Sequence, residues 1–274
     1  MDWLAALTQL RERNETAVIA TLAHARGHSP RDAGAKMVIS AHELWGSIGG
    51  GNFEASIVDR ARKLIAAGGS APELMTFALN DKVAGTHGVQ CCGGEVTVFL
   101  EVINSRRTVV IFGMGHVGYE ISHILARQPL NLILVDTRQE ALTTERMEPL
   151  RGGPARLSIR HEIAPEVVLP TLPEGATVLV LTHDHTEDFV LCEAALRTTL
   201  FHIGLIGSRS KFARFRKNLA AEGHAEAEID RITCPIGIPT IAGKDPASIA
   251  VGVVADLLAR WENAGGEPQG EYLH

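Results

Sequence analysis

Apolar positions near the start of the chain change from a helical to a strand-like spacing. Trp3, Leu4, Leu7 and Leu10 are expected to share one helical face, which predicts a helix over residues 1–13. The apolar runs that follow are bounded by glycine, proline and polar residues, which predicts strands in TAVIATLAHA, KMVIS, ELMTFAL and EVTVFLEVI. This part of the chain is therefore expected to form a smaller α+β domain over residues 1–104.

Two loops in this first part have unusual sequences. In WGSIGGGNFEA, glycines crowd the stretch directly before an amphipathic helix that is expected to end at Gly68-Gly69. Each glycine costs backbone entropy on folding, so this density favours a close approach of the chain to a ligand. The second loop, NDKVAGTHGVQCCGG, separates two predicted strands and is long enough to indicate a function of its own.

Beyond residue 105, strands and helices alternate. The apolar runs TVVIFG, NLILVD, RLSIR, TVLVLT and FHIGLIG are separated by helical patterns, including one near residues 138–146 and a long one from Pro246 to Trp261. Apolar strands with helices between them predict a parallel sheet covered on both faces. We therefore expect an α/β protein, with a Rossmann-like parallel-sheet domain over residues 105–274.

Composition and charge narrow the class of protein. The 274 residues are 45% hydrophobic and 21% charged, as in ordinary soluble globular proteins. A net charge of −6 with scattered basic residues argues against nucleic acid or an anionic membrane surface as the main partner. The N-terminus has no signal-peptide pattern, and no apolar run approaches the ~20 residues needed to cross a bilayer. We expect a cytoplasmic protein with reduced thiols.

The segment VVIFGMGHVGYEI contains the motif with the clearest structural context. Gly113 permits a tight turn, Gly115 permits a phosphate to approach the backbone, and Gly118 permits close packing of helix and strand. His116 lies inside this motif, and Asp136 ends the next strand, where an acidic residue can bind a ribose hydroxyl. These residues predict a nucleotide site, with a Rossmann domain that has lost its ligand as the alternative.

Two further polar segments follow later strands. His183 and His185 in LTHDHTED resemble the start of a metallo-hydrolase motif, but the Asp-His pair that should come next is missing. A polar ligand-binding or interface loop is the preferred interpretation. Ser208 and Arg209 in GLIGSRSK lie at a strand-to-helix turn, where they either bind an anion or cap the helix with a solvated charge.

The four cysteines predict neither a structural disulfide nor a zinc site. Cys91 and Cys92 are adjacent, and no paired C-x-x-C spacing exists. Cys192 lies in an apolar helical segment and is expected to be buried. Cys234 is expected to be a packed thiol, with a cofactor contact as the alternative. The adjacent pair either contacts a ligand or only shapes its loop.

Together these motifs resemble those of XdhC/CoxI-type xanthine dehydrogenase accessory proteins. They follow that family's order and spacing from about residue 15 to residue 261, in the segments RGHSPRDAGAKMVI, GSIGGGNFE, QCCGGEVTVFLE, VVIFGMGHVG, LILVDTR, LVLTHDHTED, IGLIGSRSKFARF and CPIGIPTIAGKDPASIAVGVVADLL.

The resemblance implies a chaperone of the molybdenum cofactor (molybdopterin). Such a protein holds the cofactor while a cysteine desulfurase replaces an oxo ligand with sulfur, and it then helps to insert the cofactor into apo-xanthine dehydrogenase. It is expected to have no turnover of its own. Because two-fold dimers are common, a homodimer is a further option.

The family's cysteine pattern can be placed on this sequence residue by residue. The pattern Q-x-C-G-G-x-V falls on Gln90, Cys92, Gly93, Gly94 and Val96. Cys92 is therefore the pattern cysteine, and Cys91 is an additional one. The resemblance implies that this segment binds the cofactor.

The family's S-x-G-G pattern falls on Ser47, Gly49 and Gly50. A cysteine commonly follows in the family, whereas Gly51 stands in that region here, which puts any role of that cysteine in doubt. Glu54 begins the next helix, where it is either a ligand contact or a carboxylate that complements the helix dipole.

Two other functions compete with the chaperone. The glycine motif and Asp136 favour an NAD(P)-dependent oxidoreductase, although no residue identifies a substrate. His183 and His185 leave a metal-dependent hydrolase as a third reading.

Overall fold

The structure, a computed structural model, describes residues 2–68, 71–79, 94–241 and 243–264. The chain divides into two compact units, Met1–Ser105 and Arg106–His274. Each unit has its own sheet and its own apolar core. Within the described ranges, no helix is both long enough and apolar enough to cross a bilayer.

The first unit is built on a five-stranded antiparallel sheet of order β3-β2-β1-β5-β4. Its strands are Ala17–Arg26 (β1), Lys36–Ile39 (β2), Leu44–Gly46 (β3), Glu73–Leu79 (β4) and Gly94–Ile103 (β5). Its helices are Trp3–Glu12 (α1) and Gly51–Ala66 (α2). The helices and the longer strands agree with the sequence pattern, whereas β3 is too short to produce a periodic signal.

Alternation along β1 places apolar side chains on both faces of this sheet. Val18 and Ala20 pack with the buried face of α2, which includes Phe53 and Ile57. Ala17 and Ile19 belong to a separate cluster with α1. The sheet is therefore covered by one helix on each face.

The second unit is built on a six-stranded parallel sheet of order β11-β10-β9-β6-β7-β8. Its strands are Thr108–Phe112 (β6), Asn131–Asp136 (β7), Arg156–His161 (β8), Ala176–Val180 (β9), Leu200–Leu205 (β10) and Ile232–Thr233 (β11). Its α-helices are His116–Leu125 (α3), Thr144–Met147 (α4), His185–Leu196 (α5), Arg209–Ala221 (α6), Glu226–Ile229 (α7) and Pro246–Ala264 (α8). This strand order is that of the Rossmann fold, and the predicted fold class is confirmed.

Both faces of the parallel sheet are buried. Val109 and Ile111 of β6 pack in one cluster with residues of α3 and α8. Val110 and Phe112 pack in a second cluster with residues of α5 and α6. The continuous apolar strands in the sequence arise from this double burial.

The prediction of one helix near residues 138–146 is wrong. The segment forms a 3₁₀ helix over Gln139–Leu142, then an extended residue, Thr143, then α4. The hydroxyl of Thr143 accepts a hydrogen bond from the Arg146 amide (3.4 Å) and caps α4. A side-chain cap at Thr143 therefore starts a new helix instead of continuing the first one. Another 3₁₀ helix, Pro165–Thr171, was also not predicted.

Candidate functional site

The glycine turn after β6 has the geometry that its motif predicts. Gly113 has φ +99°, and a Cβ placed on it would lie 2.5 Å from the carbonyl oxygen of Leu181. A Cβ on Gly118 would lie 2.1 Å from the carbonyl oxygen of Gly113. The tight turn at Gly113 and the close helix–strand packing at Gly118 are both confirmed.

Gly115 differs from these two glycines because nothing in the fold requires it. Its φ is −67°, and apart from its immediate chain neighbours and the adjoining helix backbone, no atom of the described residues lies within 4 Å of a Cβ placed there. It is the N-cap residue of α3, and no side chain caps that helix. The space beside Gly115 is therefore available to a ligand.

Asp136, at the end of β7, is buried and binds the turn itself. Its Oδ2 accepts a hydrogen bond from the Met114 amide (2.7 Å), and both carboxylate oxygens accept hydrogen bonds from Arg138. Burial raises the pKa of Asp136, but the hydrogen bonds from Arg138 and Met114 outweigh it and hold this pKa below its usual value. The predicted ribose contact stays untested, and the structure gives the carboxylate a different task, the fixing of the glycine turn.

A cavity of about 720 Å³ lies where β6, β7, β9 and β10 end. It is lined by Met114, Gly115, His116, Val117, Tyr119, Arg138, Arg146, Leu181, Thr182, His183, Ile206 and Pro246. We call it the switch-point pocket, because the strand order reverses between β6 and β9. Doubly wound sheets bind their ligands at such points.

Two guanidinium groups belong to the lining of the switch-point pocket. Arg138 pairs with Asp136 through two nitrogens (3.0 and 2.9 Å). Arg146 lies 4.8 Å from the centre of the Tyr119 ring and donates to the carbonyl oxygen of Gly115 (3.3 Å). Both side chains are only partly exposed. The pocket is therefore suited to an anionic group.

The loop after β9 divides the two histidines predicted there. His183 lines the switch-point pocket, whereas the Nδ1 atom of His185 lies 3.4 Å from the guanidinium of Arg214. Asp184 caps α5, accepting hydrogen bonds from the amides of Thr186 and Glu187. No group of three potential metal ligands occurs within the described ranges.

A buried ion pair between Asp188 and Lys211 stabilises the loop after β9. Asp188 is fully buried and pairs with Lys211, whose ammonium group also donates to the carbonyl oxygen of Ile206 (3.0 Å). Asp188 accepts hydrogen bonds from the hydroxyl (2.7 Å) and amide (3.1 Å) of Thr182. Because Thr182 and Ile206 line the pocket, the pair holds two of its walls.

Ser208 and Arg209 lie outside the pocket lining. The Ser208 hydroxyl accepts a hydrogen bond from the Lys211 amide (3.2 Å) and caps α6, and Arg209 is exposed. The capping interpretation is therefore the one that the structure supports. Cys192 is buried as predicted, and burial raises the pKa of the half-buried Cys234 thiol to about 11. A thiol with that pKa is mostly protonated at neutral pH.

The glycine-rich loop of the first unit is organised by Glu54. One of its carboxylate oxygens accepts hydrogen bonds from the Ser47 hydroxyl (2.7 Å) and the amides of Ile48 (3.0 Å) and Gly50 (2.9 Å). Burial raises the pKa of Glu54, but these bonds together lower it below its usual value. Three positive φ angles occur together at Gly49, Gly50 and Gly51. The N–H groups of Ile48 and Gly50 are thus used internally.

The second predicted segment of this unit is described only at its end. Gln90, Cys91, Cys92 and Gly93 lie outside the described residues. Gly94 begins β5, where a Cβ would lie 2.3 Å from the carbonyl oxygen of His28. Close packing within the unit is therefore sufficient to require glycine at position 94.

Of the predicted site residues, Gly115, His116 and His183 are brought together in the switch-point pocket. Sequence reasoning did not find Arg138 or Arg146. Arg138 follows Asp136 closely in LVDTR, so its position was visible in the motif. Arg146 is separated from the glycine motif by the whole of β7 and the 3₁₀ helix, and no local signal marks it.

Comparison with known proteins gives two family matches. Residues 109–257 match the family described as "XdhC Rossmann domain", and residues 10–78 match the one described as "XdhC and CoxI family". The first match spans more than half of the chain. The resemblance found in the sequence motifs is thereby confirmed.

Two relatives come from Escherichia coli K12. The chain is 26% identical to the uncharacterized protein YqeB over 97% of its own length but spans only about half (47%) of YqeB. It is 23% identical to PaoD, named a molybdenum cofactor insertion chaperone, over 89% of this chain and 83% of PaoD.

One solved structure has a similar fold. A Bacillus halodurans protein described as a xanthine dehydrogenase aligns with 100% of this chain and 98% of its own, at a TM-score of 0.50 and 17% identity. At this identity the similarity concerns the fold alone.

Proposed function

Because this chain belongs to the XdhC family, we propose that it is an accessory protein of molybdoenzyme maturation that binds the molybdenum cofactor. The observation that carries this proposal is the similarity to PaoD, a molybdenum cofactor insertion chaperone, over 89% of the chain. The geometry is compatible with a carrier, since the switch-point pocket offers cationic and apolar walls to a phosphorylated ligand.

The finer steps of this role are also proposals. We propose that the chain holds the cofactor while a cysteine desulfurase exchanges an oxo ligand for sulfur, and that it then delivers the cofactor to apo-xanthine dehydrogenase in the cytoplasm. Cys92 is the residue we assign to the molybdenum or sulfur end of the cargo, because a thiolate is a soft ligand and it occupies the family's cysteine position. A homodimer is the oligomeric state we propose.

The test is retention of the cofactor by the purified chain. After incubation with molybdenum cofactor and gel filtration, wild type should carry molybdenum and pterin in equal amounts. Cys92→Ala should lose most of both, whereas Cys91→Ala, its neighbour and matched control, should retain them. Wild type that retains neither would refute the proposed function. Equal retention by the two variants would refute the role of Cys92 alone.

A second candidate function, an NAD(P)-dependent oxidoreductase, is favoured by the position of the switch-point pocket. It predicts that calorimetry detects NAD(H) or NADP(H) binding and that the bound nicotinamide is turned over with a carbonyl or alcohol. Binding of a nucleotide without turnover would leave the carrier role intact. Turnover of the nicotinamide by a chain that does not retain the molybdenum cofactor would favour the oxidoreductase over the carrier role.

A further inference from the structure

Arg146 carries a charge that its surroundings do not balance. Its guanidinium donates to the carbonyl oxygens of Ala141 (3.4 Å) and Gly115 (3.3 Å) and packs on the ring of Tyr119. Across the described part of the chain, no carboxylate comes within ion-pair distance of it. A half-buried cation held in place beside a cavity, with only carbonyl partners, is a site that an anion would complete.

Arg138 supplies the pocket with a hydrogen-bond donor more than with a net charge. Asp136 neutralises it through Nε and one terminal nitrogen, and Glu140 and Glu187 lie close enough to raise its pKa further. Its other terminal nitrogen, Nη1, has no hydrogen-bond acceptor within the described ranges. This N–H group remains to donate to a ligand in the pocket. The net positive charge of the pair of arginines therefore resides at Arg146.

Gly115 lies beside Arg146 and leaves room for a ligand against the chain. Its missing side chain relieves no clash, in contrast to Gly113 and Gly118. At the same place, the N-terminus of α3 has no side-chain cap from the described residues, so its first N–H groups can donate to a ligand. Close access, N–H donors and an uncompensated guanidinium occur together at this one point of the pocket.

The cavity has more space than a bare anion would fill. About 720 Å³ is in the range of sites for nucleotide-sized molecules. Met114, Val117, Leu181 and Ile206 supply apolar walls next to the cationic end. The ligand therefore has an anionic group at one end and a largely uncharged body at the other.

We propose that the switch-point pocket binds a phosphate monoester, with Arg146 as its principal cation and Gly115 as the point of closest approach. Two kinds of ligand carry this chemistry: molybdopterin, through its terminal phosphate, and a phosphorylated nucleotide. If the cargo is the source, the inference rests on the proposed function. If a nucleotide is the source, the pocket serves a ligand other than the cargo.

The first arm of the test measures binding of a defined probe to the full chain. Adenosine 2′,5′-bisphosphate and adenosine, which lacks phosphate, are titrated by calorimetry. We expect the bisphosphate to bind at least about tenfold more tightly, because a phosphate held by a guanidinium forms charge-assisted hydrogen bonds. The difference should shrink as salt is added.

The variants separate binding from folding. Arg146→Gln should weaken the bisphosphate about 10- to 100-fold, and Arg146→Lys should recover part of the loss. Gly115→Ala should weaken it by blocking approach while keeping the wild-type melting temperature, since its Cβ meets no protein atom. Arg151→Gln is the matched control, because Arg151 is exposed, pairs with Glu148 and lies outside the lining.

The second arm measures cofactor retention in the same variants and identifies the source. Loss of both the bisphosphate and the cofactor in Arg146→Gln supports the inference with the cargo as ligand. Loss of the bisphosphate with full cofactor retention supports it with a nucleotide as ligand. Equal binding of adenosine and its bisphosphate, or an Arg146→Gln variant that binds as tightly as Arg151→Gln, would overturn the inference. Wild type that fails to retain cofactor refutes the proposed function and leaves the titration result standing.

Discussion

At the scale of single residues, identical amino acids have different reasons to be present. Gly113 and Gly118 are required by the backbone, whereas no close contact among the described residues requires Gly115. The spacing of the motif predicts all three assignments, because each depends only on local geometry. The hydrogen bonds that Asp136 accepts within the protein were not predicted, because they depend on the Arg138 side chain folding back onto the carboxylate.

The hydrogen bonds of Glu54 were also not predictable from the sequence, and they lead to a pH-dependent prediction. Its position at a helix start left a ligand contact and a dipole effect equally open, and only the structure shows that it binds the preceding loop. Because its pKa is lowered in the folded state, its stabilising contribution is complete above its ordinary value of 4.5. That contribution is lost as the pH falls through the lower, folded value.

We expect Glu54→Gln to reduce the free energy of unfolding by about 1–3 kcal/mol at neutral pH, since charge-assisted hydrogen bonds are weakened. The difference from wild type should close below pH 4.5, where the unfolded chain becomes protonated. Urea unfolding at a series of pH values measures both. Glu101→Gln, at an exposed position of β5, is the control. A difference that stays constant down to pH 3 would contradict the assignment.

At the scale of elements, apolar runs predicted strands well because burial on both sheet faces leaves an uninterrupted signal. The division of the segment after β7 into two short helices was not predicted, because it depends on a single threonine cap. The ion pair that holds Thr182 and Ile206 in the pocket lining was likewise not predictable from the sequence. Asp188 and Lys211 lie on different helices, and neither residue type indicates a buried pair when read alone.

Lys211→Met should be strongly destabilising, because it leaves the fully buried Asp188 without its cation. We expect a loss of about 3–5 kcal/mol in the free energy of unfolding. Adding Asp188→Asn should restore a large part of it, as a double-mutant cycle in urea would show. Lys217→Met, at an exposed position of the same helix, should have little effect. A double variant no more stable than Lys211→Met would argue against the pair.

At the scale of the whole molecule, the chain is two units with separate sheets. The change from an α+β unit to a parallel-sheet domain was readable from the sequence, since alternating strands and helices begin after residue 105. The candidate pocket was only partly readable. Its glycine turn and His183 lie in recognisable motifs. Arg146 lies in α4, outside any motif, and only the folding of the chain brings it to the pocket.

Hydrogen exchange should therefore show an effect confined to one unit. With saturating adenosine 2′,5′-bisphosphate, we expect slower exchange in residues 113–119 and 138–147, since a bound ligand stabilises the state that binds it. Peptides from β1 and α2 should exchange as in the free chain. At the same concentration, the Arg146→Gln variant should show much weaker protection of residues 113–119 and 138–147. Protection in the first unit alone would place the probe elsewhere.

Position 115 is also suited to chemical labelling, because a Cβ there meets no protein atom beyond its chain neighbours and helix backbone. A thiol introduced by Gly115→Cys would project beside the guanidinium of Arg146 without displacing a protein atom. The half-buried Cys234 has a pKa of about 11 and Cys192 is buried, so both native thiols should react slowly with maleimides. After Cys91 and Cys92 are replaced by serine, the rate at which a maleimide labels position 115 would report whether the space beside Arg146 is open or is filled by the bisphosphate.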